Sequence, residues 1–178
     1  MQSSRLGSVR TWAQTTDNGY IRSHEADGDA IFGVNLSVWP HWQRRGIGAM
    51  LFGYAMAYAL EQGIRCAAWG GRLPGLAEFN RKRLATGQPL LSGQAYAALR
   101  DQKGRPADDE LRFYLSQPFV RQLAVLPDYF PDADSEDYGV LLQWANPLYG
   151  LRLGWLYRVP FIGNLVARTL ALLVRRLG

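Results

Sequence analysis

Between Gly46 and Trp69 the apolar pattern changes period once, and that change limits the fold more than any other stretch of the chain. Met50, Leu51, Tyr54, Ala55, Tyr58 and Ala59 recur at spacings of three and four, which predicts a helix over 46–62 with Gly63 as its stop. Ile64, Cys66, Ala67, Ala68 and Trp69 then run without polar alternation, the pattern of a strand buried on both faces. Ahead of the helix, Ile31, Phe32, Val34, Leu36 and Val38 predict a strand over 29–38. Strand, turn, helix, strand is a βαβ unit, whose two strands pair in parallel through a right-handed crossover. Val9, Thr11, Trp12 and Thr15 predict one more strand over 9–15, set off by turns at Asp17-Asn18-Gly19 and Asp27-Gly28-Asp29.

Downstream, Gly70-Gly71 and Leu73-Pro74-Gly75 break the chain, and a short basic helix is expected over 76–84. Ser92 reads as the N-cap of another helix through Ala95, Tyr96 and Leu99. Asp108, Asp109 and Glu110 suit the positive end of a helix over 111–116. Two further strands, 119–126 and 138–144, flank a loop rich in proline and aspartate. At 178 residues this is one domain with a core of its own, and 48% hydrophobic residues with 20% charged exclude a disordered or collagen-like chain.

The formal charge of +5 is unevenly placed. Five of the 20 Lys and Arg, and none of the 15 Asp and Glu, lie in 138–178, so 1–137 carry 15 of each and are neutral. A neutral folded part without a basic, aromatic-interleaved stripe argues against nucleic acid as a partner. The single cysteine, Cys66, cannot close an intramolecular disulfide, and no apolar leader opens the chain, so a cytoplasmic home is expected.

The stretch that carries chemistry is Val38-Trp39-Pro40-His41-Trp42-Gln43-Arg44-Arg45-Gly46-Ile47-Gly48-Ala49. A turn rich in cations and glycine opens directly into a helix, where free backbone N–H groups and the helix dipole favour phosphate oxygens. Gly46 and Gly48 let a pyrophosphate lie against the backbone, and Arg44 and Arg45 bring charge to it. The run lacks the G-x-x-x-x-G-K-[ST] of a Walker loop, and Leu51 stands where the dinucleotide fingerprint needs its third glycine.

What matches is Q-x-x-G-x-G at a strand-to-helix junction, which resembles the acetyl-CoA-binding motif of the GNAT superfamily of N-acetyltransferases. Leu111 to Phe119 is similar to the later GNAT segment in which a helix bearing Phe-Tyr runs into the next strand, with Tyr114 on the family's frequent tyrosine. The turn Gly70 to Gly75, the run Val125 to Pro131 and Tyr138 to Leu142 resemble a branch found alone or fused to carbon-nitrogen hydrolases.

The resemblance implies an α/β (α+β) fold with a mixed central sheet flanked by helices over 1–150, and the residue pattern of 151–178 itself reads as a C-terminal amphipathic helix. It implies that Gln43, Arg44, Arg45, Gly46, Ile47, Gly48 and Ala49 hold the pyrophosphate of acetyl-CoA as co-substrate, without a metal. The strand end near Val38 would bond the pantetheine and polarise the thioester carbonyl. Tyr114 would protonate the departing thiolate, and the acetyl group would pass directly to an amine. Pro118 stands where the family usually has glycine, so the exit from this helix is expected to differ. The family's first strand and two helices would precede the strands read here, and 1–8 leave no room for them. The chain is therefore expected to be N-terminally short, or completed by a second copy or another partner. A non-catalytic CoA-binding or partner-binding module remains the alternative reading.

Other candidates have plainer readings. His24 and His41 lie in loops without metal-spaced neighbours; Glu25, Asp27 and Asp29 suit a solvated turn; Cys66 suits the core; and Arg81-Lys82-Arg83 suits a solvated helix end. From Phe161 to Leu177 a helix would put Asn164, Arg168, Ala171 and Arg175 on one narrow stripe of an otherwise apolar surface. With Trp155 and Tyr157 before it, the segment 155–177 suits either contact with an anionic membrane surface or packing on protein.

Overall fold

The computed structural model describes residues 1–150, so the expectation for the C-terminal helix lies outside the described residues. The four strands β1 (Ala30–Gly33), β2 (Cys66–Gly71), β3 (Val120–Leu126) and β4 (Gly139–Ala145) form one sheet in the order β1-β2-β4-β3. β1 pairs in parallel with β2 from Ala30↔Cys66 to Gly33↔Trp69. β4 lies between β2 and β3 and is antiparallel to both, with Leu123 skipped by the register shift between Gln122 and Ala124. Around the sheet stand α1 (Trp12–Thr16), α2 (Ile47–Glu61), α3 (Leu76–Ala85), α4 (Gly93–Ala97) and α5 (Asp109–Leu115). Among the described residues no helix is long and apolar enough to cross a membrane.

β2 and β4 bury both faces, as continuous apolar runs require. Ala67, Trp69, Val140, Leu142 and Trp144 join the main core with Phe52, Met56 and Leu60 of α2 and Leu111 and Tyr114 of α5. On the opposite face, Cys66 and Ala68 pack with Leu6 and Ala30, and Leu141 packs with Val9 and Tyr129. Caps follow from side chains already in place. Ser92 accepts from Ala95 N at the start of α4, and buried Asp108 accepts from Glu110 N and Leu111 N at the start of α5.

Three expectations change. Residues 12–16 form a helix rather than part of a strand. Thr11 Oγ1 accepts from Gln14 N, while Thr15 and Thr16 donate their hydroxyls to Thr11 O and Trp12 O, so the threonines satisfy local backbone instead of a ladder. The strand expected over 29–38 stops at Gly33, because Val34 O is taken by the Trp12 indole at 3.2 Å and the chain leaves the sheet. α2 matches its expected range, yet Met50, Leu51, Tyr54 and Tyr58, the stripe that announces it, face outward. Of the expected positions only Ala59 reaches the core, which otherwise takes Phe52, Met56 and Leu60, since the helix is apolar nearly all round and periodicity alone does not choose the face.

Candidate functional site

Where β1 ends, the parallel pair parts. Beyond Gly33↔Trp69, β2 continues through Gly70 and Gly71, while 34–38 run on outside any ladder. A cleft of about 1010 Å³ opens between them, with Val34, Leu36 and Val38 on one side, Gly70 and Arg72 on the other, and Tyr114 of α5 also lining it. Val38 O accepts from Gln43 Nε2 at 3.0 Å, so the glutamine ties the turn back to the segment 34–38. The N–H groups of Asn35 to Val38 have no hydrogen-bond partner among the described residues.

The turn Pro40–Trp42 leads into α2 through Gly46, the N-cap residue, at φ 78°, a left-handed conformation suited to glycine. No side chain caps the helix, and its first backbone bond is Met50 N to Gly46 O at 3.0 Å. The N–H groups of Arg44 through Ala49 accordingly have no partner among the described residues. Arg44 itself sits at φ 58°, a conformation that side chains with a Cβ adopt at a cost of about 1–2 kcal/mol. Gln43, Arg44, Gly46, Ile47, Gly48 and Ala49 all line the cleft. Arg45 does not; its guanidinium lies 4.8 Å over the Trp42 ring.

Across from the turn, Tyr114 is buried among Trp69, Phe52 and Phe113, with its ring against Gly71. Burial first, and the nearby Glu110 second, push its hydroxyl well above the usual phenol range. It therefore stays protonated at any working pH. Pro118 follows the end of α5, Phe119 turns the chain at φ 65°, and Tyr114 still lines the cleft.

Two charged residues that sequence reasoning passed over share this space. Glu110 Oε1 accepts from Arg72 N at 2.9 Å, and burial raises its carboxyl above the ordinary range, against the lowering influence of Arg72. Arg72 turns its guanidinium away, donating from Nε and Nη2 to Asp132 at 2.7 Å each. That bond, chiefly, holds Asp132 below the ordinary range and Arg72 firmly charged. Ser135 Oγ donates to Asp132 and accepts from Leu73 N at 2.9 Å, so the network fixes the chain just past β2. Glu110 and Tyr114 are four residues apart on one helix, a spacing that places both on one face and was visible in the sequence. The residues of the Arg72 network lie about 60 positions apart and carry no local signal. Among the described residues no three His, Cys, Asp or Glu side chains gather as metal ligands.

No protein-family model matches the chain. Of curated proteins, an uncharacterized N-acetyltransferase, YkwB, of Bacillus subtilis (strain 168) is 32% identical over 140 residues, 78% of this chain and 57% of the relative. A probable hydrolase of the same organism, YhcX, is 28% identical over 142 residues, 78% of this chain and 25% of the relative. Two solved structures share the fold. The loading GNATL domain of CurA from Lyngbya majuscula superposes with TM-score 0.59 at 20% identity, covering 82% of this chain and 66% of that one. The GphF GNAT-like decarboxylase in complex with isobutyryl-CoA gives 0.55 at 21%, covering 77% and 68%.

The chain has the GNAT-like fold and, over 78% of its length, is similar to a named N-acetyltransferase. Its four-stranded mixed sheet with flanking helices is the GNAT-like arrangement, and the cleft lies where the pair β1 and β2 parts. The chain spans little more than half of the N-acetyltransferase relative and a quarter of the hydrolase. One GNAT neighbour holds a CoA thioester and is named a decarboxylase, so the fold is compatible with more than one reaction on an acyl-CoA.

Proposed function

We propose that the chain binds acetyl-CoA in this cleft and transfers the acetyl group to an amine by direct attack. The observation that carries the reading is the row of unpaired N–H groups from Arg44 to Ala49 along the same cleft as a buried, protonated tyrosine. Six amides with Arg44 beside them suit a pyrophosphate, because each oxygen finds a donor that nothing else uses. Gly48 keeps the approach open, since even a Cβ there would meet only Phe113, at 3.6 Å, and Val38. The edge next to the cleft offers the free N–H groups of Asn35 to Val38 and the free C=O groups of Asn35 to Ser37 to the amides of a pantetheine arm. It also offers a donor to the thioester oxygen as charge develops there. Tyr114 then supplies a proton to the sulfur as the C–S bond breaks.

The test is thiol release from acetyl-CoA with a panel of primary amines, wild type against Tyr114→Phe. The expected result is amine-dependent release that falls about a hundredfold in the variant while acetyl-CoA affinity is unchanged. Release that never exceeds background for any amine, with CoA still bound, would establish the non-catalytic CoA-binding module instead.

A further inference from the structure

The outward side of α2 is built for contact with another apolar surface. From Ile47 to Leu60 the helix carries no charged side chain, and its only side-chain N or O atoms are the hydroxyls of Tyr54 and Tyr58. Met50, Tyr54 and Tyr58 stand four residues apart on one side, with Leu51 and Ala55 beside them, and the two tyrosines are 62% and 57% exposed. Charge first enters at Glu61, the last residue of the helix. A helix left to water is polar opposite its core side, whereas here both sides are apolar and only the inner one is covered among the described residues.

We propose that this stripe is the docking surface for the chain's own C-terminal segment, whose apolar side would lie along α2 as a helix over 161–177. Nothing in this depends on the acetyl-transfer reading.

β4 delivers the chain to the foot of α2. Ile64 N donates to Ala59 O at 2.9 Å where the helix ends. Asn146 then donates from its backbone N to Arg65 O at 3.0 Å and from Nδ2 to Ile64 O at 2.7 Å. Leu148 packs on the main core, and the Arg65 guanidinium lies 5.4 Å over the Tyr149 ring. The chain therefore passes Gly150 beside the C-terminal end of α2. Residues 151–160 reach about 33 Å when extended, and a helix over 161–177 would measure about 26 Å against about 23 Å for α2. Starting from that end, it would run antiparallel to α2 along its whole length.

The two surfaces match in chemistry. Ile162, Val166, Leu173 and Leu177 fall at helical spacings opposite the stripe of Asn164, Arg168 and Arg175, so setting them on α2 leaves the polar stripe in water. A 17-residue helix is marginal on its own in water and gains its stability from packing, which α2 supplies. Two other occupants are disfavoured. The α2 stripe carries no Lys or Arg to draw it to anionic headgroups. A second copy would compete with a segment tethered to the same chain, whose effective concentration is on the order of millimolar.

The experiment labels single introduced cysteines in the full chain with a maleimide. Tyr54→Cys and Ala55→Cys lie on the stripe, and Ala55→Cys removes nothing from it; Leu84→Cys on α3 is an exposed control, and buried Cys66 stays silent while the chain is folded. The expected result is labelling on the stripe at least about tenfold slower than at Leu84→Cys, the protection of a segment docked about nine-tenths of the time or more. That protection is independent of protein concentration and is lost when Val166→Glu and Leu173→Glu are added. Ile162→Glu replaces that pair if it impairs folding, which labelling of Cys66 would report. Stripe cysteines that react as fast as Leu84→Cys would overturn the proposal without any C-terminal variant. Protection that disappears on dilution would assign the stripe to a second copy, and protection that appears only with phosphatidylserine vesicles would assign it to a membrane. Protection untouched by the C-terminal substitutions would assign it to another part of the chain, and each of these three results would overturn the proposal.

Discussion

Replacing Gly70 by alanine tests how the cleft is built. Gly70 lines the cleft on β2, and a Cβ there would stand 2.1 Å from Tyr129 Cε1 and 2.6 Å from both Cζ and the hydroxyl. The ring cannot slide aside, because a Cβ at Gly139 would also meet it, at 2.2 Å from Cδ1, so the tyrosine is enclosed between two strands. Its backbone is pinned as well, Tyr129 N donating to Asp137 O and Tyr129 O accepting from Trp12 N, both at 2.9 Å. Overpacking of this kind costs about 1–3 kcal/mol when neighbours can shift, and the pinned ring puts Gly70→Ala at the upper end, about 3 kcal/mol. For a chain of this length that lowers Tm by about 6–12 °C. Thermal unfolding of wild type, Gly70→Ala, Tyr129→Ala and the double variant forms a cycle. Tyr129→Ala alone should cost about 3–5 kcal/mol, and adding Gly70→Ala to it should cost almost nothing, since the obstructing ring is gone. A Gly70→Ala protein that melts within about 2 °C of wild type, or a double variant with additive losses, would refute this packing.

Asp132→Asn should destabilise by about 1–2 kcal/mol near neutral pH, discounted because the Arg72 side chain remains 42% exposed. Asp132 is lowered in the folded state, so its contribution is present above the unfolded carboxylate pKa of about 3.9 and is lost as pH falls through the folded value. The gap in Tm between variant and wild type should therefore close in acid; a gap that persists there would contradict the pairing. Cys66 is 2% exposed, and burial raises its thiol, so a disulfide reagent at pH near 8 should find no reactive thiol in the native protein and one per chain in urea. Prompt labelling of the native chain would place Cys66 elsewhere than in the core.

Elements with a strong local signal were legible in the sequence. α2 follows from its apolar spacing and Gly63, α5 from Asp108 at its cap, β2 from an apolar run that double burial explains, and β4 from a strand pattern set off by the loop rich in proline and aspartate. The errors have a common source in long-range contacts. Trp12 reads as a strand residue until Tyr129 O and Val34 O claim its backbone and indole nitrogens, and the same indole ends β1 early. The outward stripe of α2 could not be distinguished from the inward one without knowing where the sheet lies. At the site, the turn and Tyr114 were visible because glycine spacing and a Phe-Tyr helix are local. Glu110 was read as one more acid at a helix start, since its contact with the backbone N–H of Arg72, 38 residues away, leaves no local signal.

The central claim, that unpaired amides at Arg44 to Ala49 receive the pyrophosphate of an acyl-CoA, is tested most directly by calorimetric titration of acetyl-CoA into wild type and Gly48→Glu. Gly48 has room for a side chain against Phe113, so the variant should fold, while its carboxylate stands among the amides meant for phosphate. The account predicts saturable one-to-one binding to wild type, weakened at least about tenfold in the variant, a loss of about 1.4 kcal/mol or more. No binding to wild type, or equal affinity in a folded Gly48→Glu, would contradict it.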